Sequence, residues 1–151
     1  MRRSEHEITD RKEIDEIIRK ASICRLALSD SGTPYIVPLC FGYEHNTLYF
    51  HSCTQGRKLE ILKRNNRVCF EMDIETKLAV AEKGCNWGMK YRCVIGFGTA
   101  SVVQDPAEKR SGLDAIMRQY SGPEGDYSPE ALNRTTVIKV KIESLTGKQA
   151  L

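Results

Sequence analysis

Residues Ile23–His51 read ICRLALSDSGTPYIVPLCFGYEHNTLYFH, three extended runs separated by two short breaks. Ser29-Asp30-Ser31-Gly32 suits a turn needing positive φ or side-chain hydrogen bonds, so Ile23–Leu28 and Pro34–Tyr43 are predicted to form a hairpin. Glu44-His45-Asn46 then leads into Thr47–His51, which completes a three-strand meander. Breaks this short join antiparallel strands, because a parallel neighbour needs a crossover of about a dozen residues or more.

On the amino-terminal side, Asp10 with Glu13 three residues later marks a helix start, and Ile14, Ile17, Ile18 and Ala21 recur at helical spacing. That helix is a lid with one apolar face. On the carboxy-terminal side, a short helix over Arg57–Lys63 precedes a strand over Arg67–Ile74, where Val68, Phe70 and Met72 alternate with polar residues. Glu75–Gly88 has no period and is expected to be an irregular connection. Tyr91–Val103 is the longest strand, and Gly96-Phe97-Gly98 within it predicts a bulge or a close approach of another backbone or a ligand. Pro106–Gln119 is predicted to be helical, and from Val137 onward Ile138, Val140 and Ile142 alternate with Lys139, Lys141 and Glu143 in a final strand. Six strands and few helices predict one mainly β domain, residues 1–151, built as a closed or nearly closed antiparallel barrel.

Composition excludes several function classes. A net charge of +3, from 23 basic and 20 acidic residues scattered along the chain, gives no nucleic-acid footprint. No apolar run reaches the ~18 residues of a membrane span, and Met1-Arg2-Arg3-Ser4-Glu5-His6-Glu7 lacks the apolar centre of a signal peptide. A cytoplasmic protein that binds neither nucleic acid nor membrane is expected. The six cysteines show no metal-clip or redox-dithiol spacing, and no metal site is expected. Cys24, Cys40, Cys69 and Cys93 fall in predicted strands as small buried hydrophobes, whereas Cys53 and Cys85 fall in predicted loops.

The segment with chemistry is His51-Ser52-Cys53-Thr54-Gln55-Gly56-Arg57-Lys58, where a strand stops and a glycine precedes two cations at a helix start. Cations are disfavoured at the positive end of a helix dipole unless an anion sits beside them. Free backbone N–H groups, the hydroxyls of Ser52 and Thr54, the turn at Gly56 and the charges of Arg57 and Lys58 therefore point to a bound dianion such as a phosphate.

Several ordered motifs carry a resemblance: Pro34-Tyr35-Ile36-Val37-Pro38-Leu39, Leu48-Tyr49-Phe50-His51-Ser52, Gly56-Arg57-Lys58-Leu59 and Asn65-Asn66-Arg67-Val68-Cys69-Phe70. Together they resemble the FMN-binding split β-barrel family related to pyridoxamine 5′-phosphate oxidase. Tyr91-Arg92-Cys93-Val94-Ile95-Gly96-Phe97-Gly98-Thr99-Ala100 and Leu145-Thr146-Gly147-Lys148-Gln149 are similar to its nitroimidazole-resistance branch. The resemblance spans nearly the whole chain and implies a six-stranded antiparallel split barrel of Greek-key type.

It also implies a site. Val37, Pro38 and Leu39 would lie along the flavin ring, His51 and Ser52 between ring and ribityl phosphate, and Gly56, Arg57 and Lys58 at the phosphate. Trp87, Tyr91 and Arg92 of a partner subunit would complete a groove in a homodimer. The implied cofactor is FMN, with FAD, a deazaflavin or haem as alternatives, and His51 is a potential haem ligand. The implied activity is an oxidoreductase that reduces a small-molecule electron acceptor, a nitroimidazole among the candidates; a module that holds its ligand without turnover is the alternative. No catalytic residue is assigned. The vitamin oxidase itself is not expected, because the ending Ser144-Leu145-Thr146-Gly147-Lys148-Gln149-Ala150-Leu151 lacks that enzyme's carboxy-terminal tryptophan and arginines.

Overall fold

The computed structural model describes residues 4–150; Met1–Arg3 and Leu151, used in the readings of the chain's two ends, lie outside the described residues. In chain order the elements are β1 (Glu7–Ile8), α1 (Arg11–Lys20), β2 (Cys24–Asp30), β3 (Thr33–Leu39), β4 (Gly42–Glu44), β5 (Thr47–Cys53), α2 (Arg57–Arg64), β6 (Arg67–Ala79), β7 (Gly88–Val102), α3 (Pro106–Gln119), α4 (Pro129–Arg134) and β8 (Thr135–Ala150). All strand pairs are antiparallel, in the order β3-β2-β6-β7-β8-β5-β4, with β1 added to β8. The connection from β5 through α2 to β6 passes over β8 and β7, which is the Greek-key step.

The two edges of this sheet, β3 and β4, are consecutive in the chain and joined by only Cys40 and Phe41. They do not pair with each other. The barrel is therefore closed by the chain and open between its edges, a split barrel. The predicted strand Pro34–Tyr43 breaks at this corner, where Phe41 turns fully inside and its backbone N–H donates to the Tyr120 hydroxyl at 3.1 Å. Cys40 is exposed there, against the expectation of a buried strand cysteine. The corner and the short β1 raise the strand count to eight from the six expected, and the mainly β class holds.

The local chemistry explains the turns. Ser31 and Gly32 have φ of 51° and 88°, and His45 and Asn46 have 47° and 58°, giving two-residue hairpins whose twist matches their strands. Asp10 caps α1 by accepting from the Lys12 N–H at 2.9 Å, and Ile14, Ile17 and Ile18 descend into the barrel. They meet Leu26, Phe50, Phe70, Met72 and Ile138 from the strands, with Leu59, Ile61 and Leu62 of α2 closing the same core. The Gly96–Gly98 reading holds on both counts: β7 bulges against β8 between Phe97 and Gly98, and a Cβ on Gly98 would stand 2.3 Å from the Lys141 carbonyl oxygen.

One further expectation holds only in part. The irregular connection predicted over Glu75–Gly88 is confined to residues 80–87, because the strands run further than expected: Glu75 takes φ of 58° at a register shift, after which Lys77–Ala79 pair with Gly88–Lys90. A left-handed residue re-aims a strand without ending it, so the period was lost while the pairing continued. α4, for which no element was predicted, is too short to show helical periodicity. Among the described residues no helix is long and apolar enough to cross a membrane.

Candidate functional site

β5 delivers the chain to Thr54-Gln55-Gly56, and α2 starts at once. Gly56 is the N-cap residue, with φ 139° and ψ 161°, a region that costs a side-chain-bearing residue about 1–3 kcal/mol. It has no side chain to cap with. The first helical bond, from the Glu60 N–H to the Gly56 carbonyl at 3.2 Å, leaves the N–H groups of Arg57, Lys58 and Leu59 without helical partners.

The two cations then differ. Arg57 is exposed and lies over the Tyr35 ring at 4.8 Å from its centroid, which draws β3 to the first turn of α2. Lys58 is half-buried, and desolvation holds its ammonium below its ordinary pKa, the nearby Cys53 thiol opposing in part. Among the described residues neither cation has a carboxylate partner. A half-desolvated ammonium with no counter-ion, beside three free N–H groups, is a donor set that a phosphate dianion fits.

The remaining predicted residues are not all at this point. Ser52 shares the inner face of β5 with Leu48 and Phe50 and is half-buried near the turn. His51 faces the other way. It lines a separate, largely apolar cavity of about 180 Å³ with Leu113, Met117 and Tyr127. Period-2 alternation separates two neighbours that the sequence reading had grouped. On β3, Val37 and Leu39 pack with Tyr35 against the core, while Pro38 is exposed on the opposite face.

Trp87 sits at the end of the β6–β7 hairpin, 51% exposed, its indole N–H donating to the Ala81 carbonyl at 2.7 Å. Leu78, Val80 and Met89 are exposed on the same hairpin, so the arm is apolar. Tyr91 is covered by the Lys148 ammonium at 5.9 Å from its ring centroid. Arg92 is 14% exposed and bridges Glu13 at 3.3 Å and Glu75 at 3.6 Å, tying α1 to the bend of β6. Sequence reading missed Tyr35, although it shares a strand face with Val37 and Leu39 and carries the ring under Arg57.

The family model for pyridoxamine 5′-phosphate oxidase matches residues 10–149. No curated protein matches the chain. Among solved structures, the chain is similar to a protein of Bacteroides thetaiotaomicron VPI-5482 named for 5-nitroimidazole antibiotic resistance. The two share 38% identity over 95% of this chain and 86% of that one, with a TM-score of 0.84. The FAD- and haem-binding protein of Mycobacterium smegmatis shares 22% identity over 96% of this chain and 73% of its own, with a TM-score of 0.85. A flavocytochrome of Azotobacter vinelandii shares 18% over 96% and 69%, with a TM-score of 0.81. These last two likenesses bear on the fold alone. The match over residues 10–149 and the 38% identity together establish that the chain belongs to the pyridoxamine 5′-phosphate oxidase family of split β-barrels.

Proposed function

We propose that the chain is a flavoprotein that holds FMN by its phosphate at the first turn of α2 and passes electrons to a small acceptor. The observation that carries this reading is Lys58, half-buried and without a counter-ion beside the free N–H groups at Gly56–Leu59. The family assignment supports it, as do the flavin and haem named for two proteins of the same fold.

Each residue has a defined task. Lys58 and the helix N–H groups neutralise the phosphate; Arg57, braced on Tyr35, adds a second positive charge from the solvent side; Ser52 offers a hydroxyl at the strand end. Val37 and Leu39 keep β3 on the core, so that Pro38 and the strand's backbone present a fixed edge to a ring. Hydride and electron transfer are the chemistry that bound flavin supplies. The protein supplies position and dryness.

The subunit associates as a homodimer, and the β6–β7 arm is the part that reaches the partner. Four exposed apolar side chains on one hairpin, Leu78, Val80, Trp87 and Met89, are more than a solitary subunit leaves in water without use. Of the three residues expected from a partner, Trp87 has its ring half exposed on the arm, whereas Arg92 is held within its own subunit by Glu13 and Glu75. A haem at His51 is disfavoured by space: about 180 Å³ falls short of the roughly 300–1,000 Å³ typical of cofactor pockets.

The acceptor follows from the relative named for nitroimidazole resistance. Photoreduced protein mixed anaerobically with a nitroimidazole or a quinone in a stopped-flow instrument is expected to be reoxidised by at least one of them faster than in buffer. Equal rates with and without every acceptor would transfer the reading to a module that holds flavin without turnover.

A further inference from the structure

A cleft lies beside the predicted site. It has a volume of about 430 Å³, within the range of small-molecule pockets, and lies between the end of β7, the first turns of α3, α4 and the start of β8. Its chemistry is one-sided. Lys109 and Arg110 line it and no carboxylate does. The Lys109 ammonium donates to the Leu132 carbonyl and so pins α4 over the cleft, whereas Arg110 has no acidic partner among the described residues. Val102 and Leu132 give apolar walls, and Asn133 gives an amide that can both donate and accept.

One lining residue connects this cleft to the site already described. Thr54 is in its wall and lies two residues before Gly56 on the same turn. A ligand whose first phosphate rests on α2 and whose chain continues past Thr54 enters a space with a cation for a second phosphate, apolar walls for a base and an amide for the base edge. We infer that this cleft receives the adenosine phosphate half of a dinucleotide. The placement beside the flavin phosphate rests on the reading given under Proposed function; the cleft's own affinity for adenosine phosphate does not.

Two sources share that chemistry, FAD as the resident flavin and a nicotinamide dinucleotide as the electron donor. Calorimetric titration of the apoprotein with AMP, FMN and FAD, and of the FMN-loaded protein with NADH and NADPH, separates them. AMP is expected to bind, and Arg110→Ala is expected to weaken it about tenfold or more, the loss of one charge-assisted contact. Arg110 is exposed on a helix surface, so alanine there leaves the fold intact. Arg110→Glu is a second variant with a larger expected loss. If FAD is the source, FAD binds at least tenfold tighter than FMN and Arg110→Ala removes the difference while leaving FMN affinity unchanged. If the donor is the source, NADH or NADPH binds in competition with AMP and shows the same dependence on Arg110.

AMP binding in an Arg110-dependent way without any flavin binding upholds the cleft and refutes the phosphate site on α2. Absence of AMP binding, or AMP binding that neither Arg110 variant changes, overturns the inference.

Discussion

At the scale of single residues the account turns on Lys58, because a half-buried ammonium with no counter-ion is an unfavourable feature of the ligand-free protein. Lys58→Ala should lower FMN affinity about ten- to a hundredfold, the value of roughly 1.5–3 kcal/mol for a charge-assisted contact, as read by fluorescence titration. The pH dependence has a definite sign. Desolvation lowers the folded-state pKa of Lys58 below 10.5, so between that value and 10.5 the unfolded chain binds more protons and ligand-free stability rises with pH. A bound phosphate restores the charge and takes up a proton, so FMN affinity should fall as pH rises through the same window. Lys58→Met should flatten that slope; a slope unchanged in the variant would assign the titration elsewhere. Gly56→Ala meets no neighbouring atom but inherits φ of 139°, and should cost about 1–3 kcal/mol in chemical denaturation through backbone strain alone. The glycine and the two cations were legible from their order in the sequence. The facing of His51 was not, because adjacency says nothing of side until strand alternation is placed on a core, and Phe50 claims the inside.

At the scale of elements, strong local signals became structure and weak ones did not show. Pro106–Gln119 is helical over the expected range, since Asp105 accepts from the Glu108 N–H at 2.8 Å and proline opens the first turn. The lid reading of α1 is also met. Ile17 is fully buried beneath it, so Ile17→Ala should destabilise the fold by about 2–5 kcal/mol in urea denaturation; a loss under 1 kcal/mol would mean that α1 does not close the core. The β6–β7 arm was illegible because its period breaks at Glu75, and its apolar residues carry no signal of what they cover. If the arm serves a partner subunit, Val80→Ser combined with Trp87→Ala should shift the mass seen by light scattering from dimer to monomer. The circular dichroism spectrum should stay the same, since both side chains are more than half exposed in the subunit. A wild-type monomer that retains flavin would refute the dimer.

At the scale of the whole molecule, a run of hairpins closes most of a barrel and the corner at Cys40–Phe41 leaves its two edges unpaired. The antiparallel arrangement was readable from break lengths, the barrel from the run of strands with few helices, and the split from the resemblance to the split β-barrel family; where the split falls was not, because one residue at the corner, Phe41, decides where the predicted strand ends by turning inside. The cleft beneath α4 was equally hidden: Arg110 on a helix and Thr54 in a loop are distant in sequence and meet only in three dimensions. The central claim is that the phosphate, held by the first turn of α2, anchors the flavin. Parallel titrations of the apoprotein with FMN and with riboflavin, which differ only in that phosphate, test it most directly. The account predicts that FMN binds at least a hundredfold tighter than riboflavin and that Lys58→Ala removes about ten- to a hundredfold of the difference. Equal affinities for FMN and riboflavin, or a preference for FMN that Lys58→Ala leaves intact, would contradict it.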